Sequence, residues 1–171
     1  MEDESRVETL HRRVSEEPNS RAFVLLAEEY RGLGRLDEAM QTLKSGLKKQ
    51  PDFVAASVAL GRCQLEAGRP SDSVETLERV VTEDHTQMVA YKILVGSHLE
   101  NGDERAARAA FESYRNLNPQ DPDLGEIEAT LRTTLVEESG ESVPQPDSVF
   151  PLSPRLPSAV GLSRLEPREL H

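Results

Sequence analysis

Tryptophan is absent from the 171 residues, aromatic side chains make up 4% of them, and there is one cysteine. A lone Cys63 forms no internal disulfide, which suits a reducing compartment. No apolar run approaches the ~20 residues that a membrane-spanning helix needs. The opening Met1-Glu2-Asp3-Glu4-Ser5-Arg6 is acidic where a secretion signal is basic, so a cytoplasmic address is expected, without membrane insertion. Basic residues are in deficit as well, 20 Lys and Arg against 31 Asp and Glu, for a net charge of −11. Nucleic acid is excluded as a partner by that balance, because its binding draws most of its affinity from Lys and Arg. Anionic membrane surfaces are disfavoured for the same reason.

Catalytic motifs are lacking too. There is no phosphate-binding loop, dinucleotide glycine fingerprint, zinc-type cysteine pairing or nucleophile elbow. His11, His85, His98 and His171 are scattered along the chain. Glu83-Asp84 beside His85 is the nearest approach to a metal-binding cluster, and a solvated helix end explains it as well. Neither enzyme activity, nor a cofactor, nor a metal is expected.

What the chain does have is a period. Gly34, Gly68 and Gly102 lie 34 residues apart, and their surroundings repeat with them in the register 20–53, 54–87 and 88–121. Phe23, Ser57 and Tyr91 align, then Leu26, Leu60 and Leu94, then Ala27, Gly61 and Val95. Tyr30, Gln64 and His98 follow, and beyond the glycines come Ala39, Ser73 and Ala107, then Leu43, Leu77 and Phe111. Gly46, Val80 and Tyr114 come next, and Pro51, His85 and Pro119 close the units. A period of this length means stacked copies of one small unit.

Each unit reads as two amphipathic helices. Phe23, Leu26, Ala27 and Tyr30 have the i, i+3, i+4, i+7 spacing of a buried stripe, which Ala39, Leu43 and Leu47 carry onward. Gly34 stops the first helix by accepting a left-handed conformation. Asp37-Glu38, Ser71-Asp72 and Asp103-Glu104 are expected to cap the second helices. Small residues (Ala27, Ala39, Gly61) allow close approach.

The column pattern resembles the tetratricopeptide repeat, most closely in the first unit and least in the second, where Ser57, Gln64, Ser73 and His85 depart from it. The resemblance covers 20–121 and implies an all-α, right-handed solenoid of three helix-turn-helix repeats. Neither helix of such a unit buries its apolar face alone, so capping elements are needed at both ends. Residues 1–19, with Val7, Leu10 and Val14 on one side and Pro18 at the end, read as an N-terminal capping helix. Residues 122–138 read as a C-terminal one, with Leu124, Ile127, Leu131 and Leu135 inward and Glu126, Glu128 and Arg132 outward. From 139 to 171 the chain turns rich in proline and is expected to be mostly disordered. It still carries the apolar run Val149-Phe150-Pro151-Leu152, which suits a linear motif or a segment that returns to its own groove.

The resemblance also supplies a candidate site. In tetratricopeptide domains the second, fifth, ninth and twelfth positions of each unit line a concave groove. Those positions are Arg21, Val24, Glu28 and Arg31, then Ala55, Val58, Arg62 and Leu65, then Val89, Lys92, Gly96 and Leu99. Val24, Ala55, Val58, Leu65, Val89 and Leu99 form an apolar patch around the charges of Glu28, Arg62 and Lys92, the usual footprint of a protein-binding surface. A buried Val or Leu contributes about 1.5–3 kcal/mol. Three or four of them, less the cost of association, support binding near the micromolar level, about −8 kcal/mol. Chaperone-binding members of the family hold a terminal carboxylate in a clamp of Lys, Asn, Asn, Lys and Arg. The matching positions here, Val24, Glu28, Ala59, Val89 and Ile93, supply none of these, and Glu28 repels a carboxylate. The leading expectation is a non-catalytic adaptor or scaffold for a protein or peptide segment. A secretion-type chaperone that shields an apolar client, and a self-associating homodimer, are the alternatives.

Overall fold

The computed structural model describes residues 2–17 and 20–139, and among them every regular element is an α-helix. In order these are α1 (Glu2–Glu16), α2 (Ala22–Gly32), α3 (Leu36–Lys49), α4 (Val54–Glu66), α5 (Pro70–Glu83), α6 (Met88–Glu100), α7 (Glu104–Leu117) and α8 (Leu124–Ser139). Helix pairs α2/α3, α4/α5 and α6/α7 are the three repeats, and α1 and α8 flank them. Pro18, the side chain of Leu135 and the tail from 140 to 171 lie outside the described residues.

One hinge is built three times. Gly34, Gly68 and Gly102 have φ of 74°, 69° and 74°, the left-handed region that glycine alone enters without strain. The next residue then donates its amide back across the helix end, Arg35 to Tyr30 O, Arg69 to Gln64 O and Asp103 to His98 O, each at 2.8 Å. This is the Schellman closure, which satisfies carbonyls the helix leaves open. Capping of the second helices is less uniform than expected. Only Asp103 caps, accepting from Ala106 N at 2.9 Å. No side chain caps α3 or α5; Pro70 opens α5 with its fixed φ, and Ser71 turns instead to Asn101.

Stacking follows from the burial pattern. Each helix packs on the next, and the first helices α2, α4 and α6 also touch one another in a row. Core residues fall into two clusters that meet at α4. One holds Val7, Phe23, Leu26, Leu43, Leu60 and Cys63, with Leu10 and Val14 of α1 against it. The other holds Val58, Leu77, Leu94, Phe111 and Leu131, with Leu124 and Ile127 of α8 against it. Helix α4 is enclosed on nearly all sides, with Ala56 through Gly61 buried. Two glycines set the spacing. A Cβ on Gly46 would lie 2.2 Å from the Phe23 ring, and one on Gly61 would lie 2.5 Å from Leu77 Cγ.

The second repeat is the odd one by sequence, yet its departures are built into the core. Ser73 donates to Gly61 O at 2.8 Å or shares its hydroxyl with Ser97, also at 2.8 Å, and Ser97 reaches Ile93 O at 3.0 Å. Both serines are fully buried. The missing proline at position 85 is replaced by a turn that Asp84 organises. Its carboxylate accepts from Thr86 N, Thr86 Oγ1 and Gln87 Nε2 at 2.9, 2.6 and 2.6 Å. Those bonds hold the Asp84 carboxyl down at about 2, the Gln87 bond contributing most.

Candidate functional site

The groove positions lie on α2, α4 and α6, the three helices of the inner row, with Arg21 immediately before α2, because the stripe that lines the groove is offset from the one that packs. Arg21 and Ala55 are exposed and Val89 is 44% exposed. Val24, Leu65 and Leu99 are half-buried, and Leu65 Cδ2 comes within 3.3 Å of where a Gly96 Cβ would stand. Val58 differs from its neighbours. It is 9% exposed and belongs to the core cluster of α5 to α8, so it does not present its side chain to a ligand. Its place in the stripe is the reason: at the fifth position of a middle repeat, the next first helix covers it.

Charges in the stripe are not isolated. Arg31 donates through Nε to Glu28 at 2.8 Å and through Nη1 to Glu66 at 3.0 Å, which ties the first repeat to the second. Arg62 Nη1 adds a longer contact to Glu28 at 3.8 Å. These carboxylates hold the Arg31 guanidinium above its ordinary pKa, the Glu28 bond being the largest cause. Lys92 is drawn the other way, to Asp123 at 2.6 Å and Asp121 at 3.8 Å in the turn before α8. Asp121 in turn accepts from the Tyr114 hydroxyl and from Asn118 at 3.1 Å, and its pKa is lowered, chiefly by the Tyr114 bond. From Glu28 to Lys92 the stripe is therefore a set of apolar side chains between ion pairs that already neutralise each other, and Arg21 at its N-terminal end stands apart on the Phe53 ring.

Two features escape a reading of the sequence. A cavity of about 510 Å³ opens beside the N-terminal end of the stripe, lined by Arg13, Arg21, Val24, Leu25 and Phe53 among others. Leu25 is 56% exposed there, although Ala59 and Ile93 in the same column are covered. Column position alone does not tell whether a neighbouring helix is present. A second cavity, about 340 Å³, lies between α1, α2 and α3 over Phe23, Leu26 and Tyr30, on the side of the second helices and away from the stripe.

The remaining titratable groups take structural places. His98 is buried where the first repeat has Tyr30, with Nε2 3.9 Å from Glu78. Cys63 is 1% exposed, and burial pushes its thiol up to about 11, with the Glu28 and Glu66 carboxylates adding to the effect. His85 is exposed, and the Asp84 carboxylate beside it is committed to its own turn. Among the described residues there is no cluster of three or more His, Cys, Asp and Glu with the arrangement of a metal site. Nor is any of their helices long and apolar enough to cross a membrane.

Comparison with known proteins agrees with this architecture. Residues 30–97 match the family model described as tetratricopeptide repeat. A peroxisomal targeting signal receptor of Komagataella phaffii (strain GS115 / ATCC 20864) is 28% identical over 90 residues, 53% of this chain. The match spans 15% of that receptor's length. Among solved structures, the first tetratricopeptide domain of human RPAP3 superposes with a TM-score of 0.66 at 12% identity, covering 70% of this chain and 94% of that domain. The first such domain of Spaghetti (RPAP3), bound to the HSP90 peptide SRMEEVD, gives 0.63 at 14% identity, covering 72% and 98%.

Proposed function

We propose that this tetratricopeptide repeat protein is a non-catalytic adaptor, which holds an apolar or amphipathic segment of another protein against the open face of α2, α4 and α6. One observation carries the reading. Along that face Ala55 and Val89 stand open to solvent beside half-buried Val24, Leu65 and Leu99, while Glu28, Arg31, Arg62 and Lys92 between them are already paired. A solvated helix face would carry free charge at those places. A segment docking here need bring no compensating charge, and it releases water from apolar surface on both sides.

The same geometry argues about what the segment is. The positions at which a carboxylate clamp would stand hold Val24, Glu28, Ala59, Val89 and Ile93, of which Glu28 alone is charged, and negatively. An acidic C-terminal tail like the HSP90 peptide seen in the similar domain meets no cation at those five positions, and Arg31, Arg62 and Lys92 beside them are already paired with carboxylates. The Komagataella phaffii receptor's similarity supports recognition of a protein segment as the shared property, and the signal that receptor reads is not carried over. A cytoplasmic setting goes with the reading, since a chain with one cysteine makes no use of internal disulfides.

The test compares the full chain with an Ala55→Glu, Val89→Glu variant of unchanged helicity, each tagged and purified from the native host. Both sites are exposed, so the fold tolerates the change. The reading expects a protein retained by the parent and lost by the variant. A client that precipitates when released would assign the adaptor a chaperone's work. Equal retention by both proteins would overturn the groove as the site.

A further inference from the structure

At the N-terminal end of the inner row, one apolar strip lacks the neighbour its counterparts have. Leu25, Ala59 and Ile93 occupy equivalent places 34 residues apart. Ala59 is buried in the cluster that contains the α2 side chains, and Ile93 packs against the cluster beyond it. Leu25 is 56% exposed. Helix α1 does not change this, because it packs on α2 as α3 packs on α4 and α5 on α6, in the manner of a second helix of a preceding unit. Among the described residues nothing takes the place of the preceding first helix. Val24 and Phe53 extend the strip, and with Leu25 they line the cavity of about 510 Å³.

Charge is arranged in opposite senses at its two ends. Arg21 is four residues before Leu25, and its guanidinium rests on the Phe53 ring at 4.7 Å. Neither Arg21 nor Arg13 beside it is in an ion pair among the described residues. Glu28 and Glu29 are three and four residues after Leu25, on the same side of α2. Among the described residues Glu29 pairs with Arg6 alone, through Oε1 at 3.0 Å, a contact exposed on the Arg6 side and partly covered on the Glu29 side, which leaves Oε2 for a second cation.

We propose that the occupant of this strip is a second copy of this chain, with α2 against α2 in antiparallel order about a two-fold axis beside Leu25. In that order each Arg21 stands opposite the other copy's Glu29, and the contact is made twice. A self-complementary patch of this kind is what a closed dimer requires. Parallel order would set Arg21 against Arg21. Antiparallel neighbours are related by an axis normal to the row, so the open faces of both copies look the same way. The two stripes thus join end to end into one surface of six first helices. One helix face with its rim is smaller than the ~1,600 Å² of a standard interface, so the association expected is a weak one, on the order of tens of micromolar. The inference stands independently of what the stripe binds.

Sedimentation equilibrium of the full chain, from about 5 to about 500 µM, brackets that constant. The parent is expected to pass from monomer to dimer across the interval. Leu25→Glu removes a half-covered apolar anchor twice per dimer, at about tenfold each, and should weaken association about a hundredfold while helicity is unchanged. Arg21→Glu and Glu29→Arg should each weaken it, and an equimolar mixture of these two single variants should restore it, because both cross-contacts become opposite in sign. A parent that stays monomeric to the highest concentration would overturn the proposal. So would a dimer indifferent to Leu25→Glu, or a mixture that associates no better than its components.

Discussion

Gly46→Ala is the substitution for which the packing makes its sharpest demand. Gly46 lies within α3, where alanine is preferred over glycine by about 1 kcal/mol on backbone grounds alone. Against that gain, the added Cβ would stand 2.2 and 2.3 Å from Phe23 Cδ2 and Cε2, well inside contact distance. The ring is 2% exposed and sits edge-on to Phe53, with centroids 5.8 Å apart and planes at 81°. It can retreat only by giving up that arrangement. Overpacking costs about 1–3 kcal/mol and the aromatic pair is worth about 0.5–1.5 kcal/mol. The clash therefore outweighs the backbone gain, and the variant should be less stable by about 1–2 kcal/mol. Thermal unfolding followed by circular dichroism should show the midpoint lower by about 3–8 °C. Gly125→Ala in α8, where nothing lies within 4 Å, serves as the control and should not destabilise. Phe23→Leu removes the ring atoms in question, so in that background Gly46→Ala should become neutral or favourable, a coupling that a double-mutant cycle reads directly. A Gly46→Ala protein as stable as its parent would refute the reasoning about close approach of α2 and α3.

Further outcomes are expected at three residues. Gln64 is buried with its Oε1 unpartnered, so the near-isosteric Gln64→Met should raise stability by about 1–2 kcal/mol in urea unfolding. Cys63 should react with a thiol reagent at pH 8 far more slowly in the native protein than in denaturant. Its pKa is raised from 9.0 to about 11, so the stability it contributes is complete below pH 9 and is lost as pH rises toward about 11; Cys63→Ser should flatten that alkaline loss in thermal melts. Asp84 has the opposite sign, its pKa lowered from 3.8 to about 2, so its contribution is present above pH 3.8 and is lost as pH falls through about 2. An Asp84→Ala variant should accordingly lose less of its melting temperature than the parent between about pH 5 and about pH 2, the interval in which the carboxylate titrates.

The helix pairs were readable because the 34-residue register repeats both the apolar columns and the left-handed glycines, and each column carries one physical demand. The second repeat shows where such reading thins out. Ser57, Gln64 and Ser73 look like failures of the pattern, and only three dimensions reveal that Ser73 and Ser97 satisfy one another between repeats. Asp84 likewise does the work of the missing proline through hydrogen bonds that no column records. Candidate groove residues were legible as a stripe, because helical periodicity fixes which residues share a face. Their exposure was not, since it depends on the neighbouring first helix: Val58 is covered by one and Leu25 lacks one. The ion pairs Arg31–Glu66 and Lys92–Asp123 join residues 35 and 31 positions apart, separations for which helix periodicity has no rule.

The central claim is that a partner's segment lies along the first helices. Its most direct test places a photo-reactive amino acid at position 89, or alternatively at Arg79 on α5, in the full chain expressed in its native host. Cross-linked peptides are then identified by mass spectrometry. One apolar or amphipathic segment should be captured from position 89 and be absent from position 79. The same segment captured equally from both positions, or from position 79 alone, would contradict it.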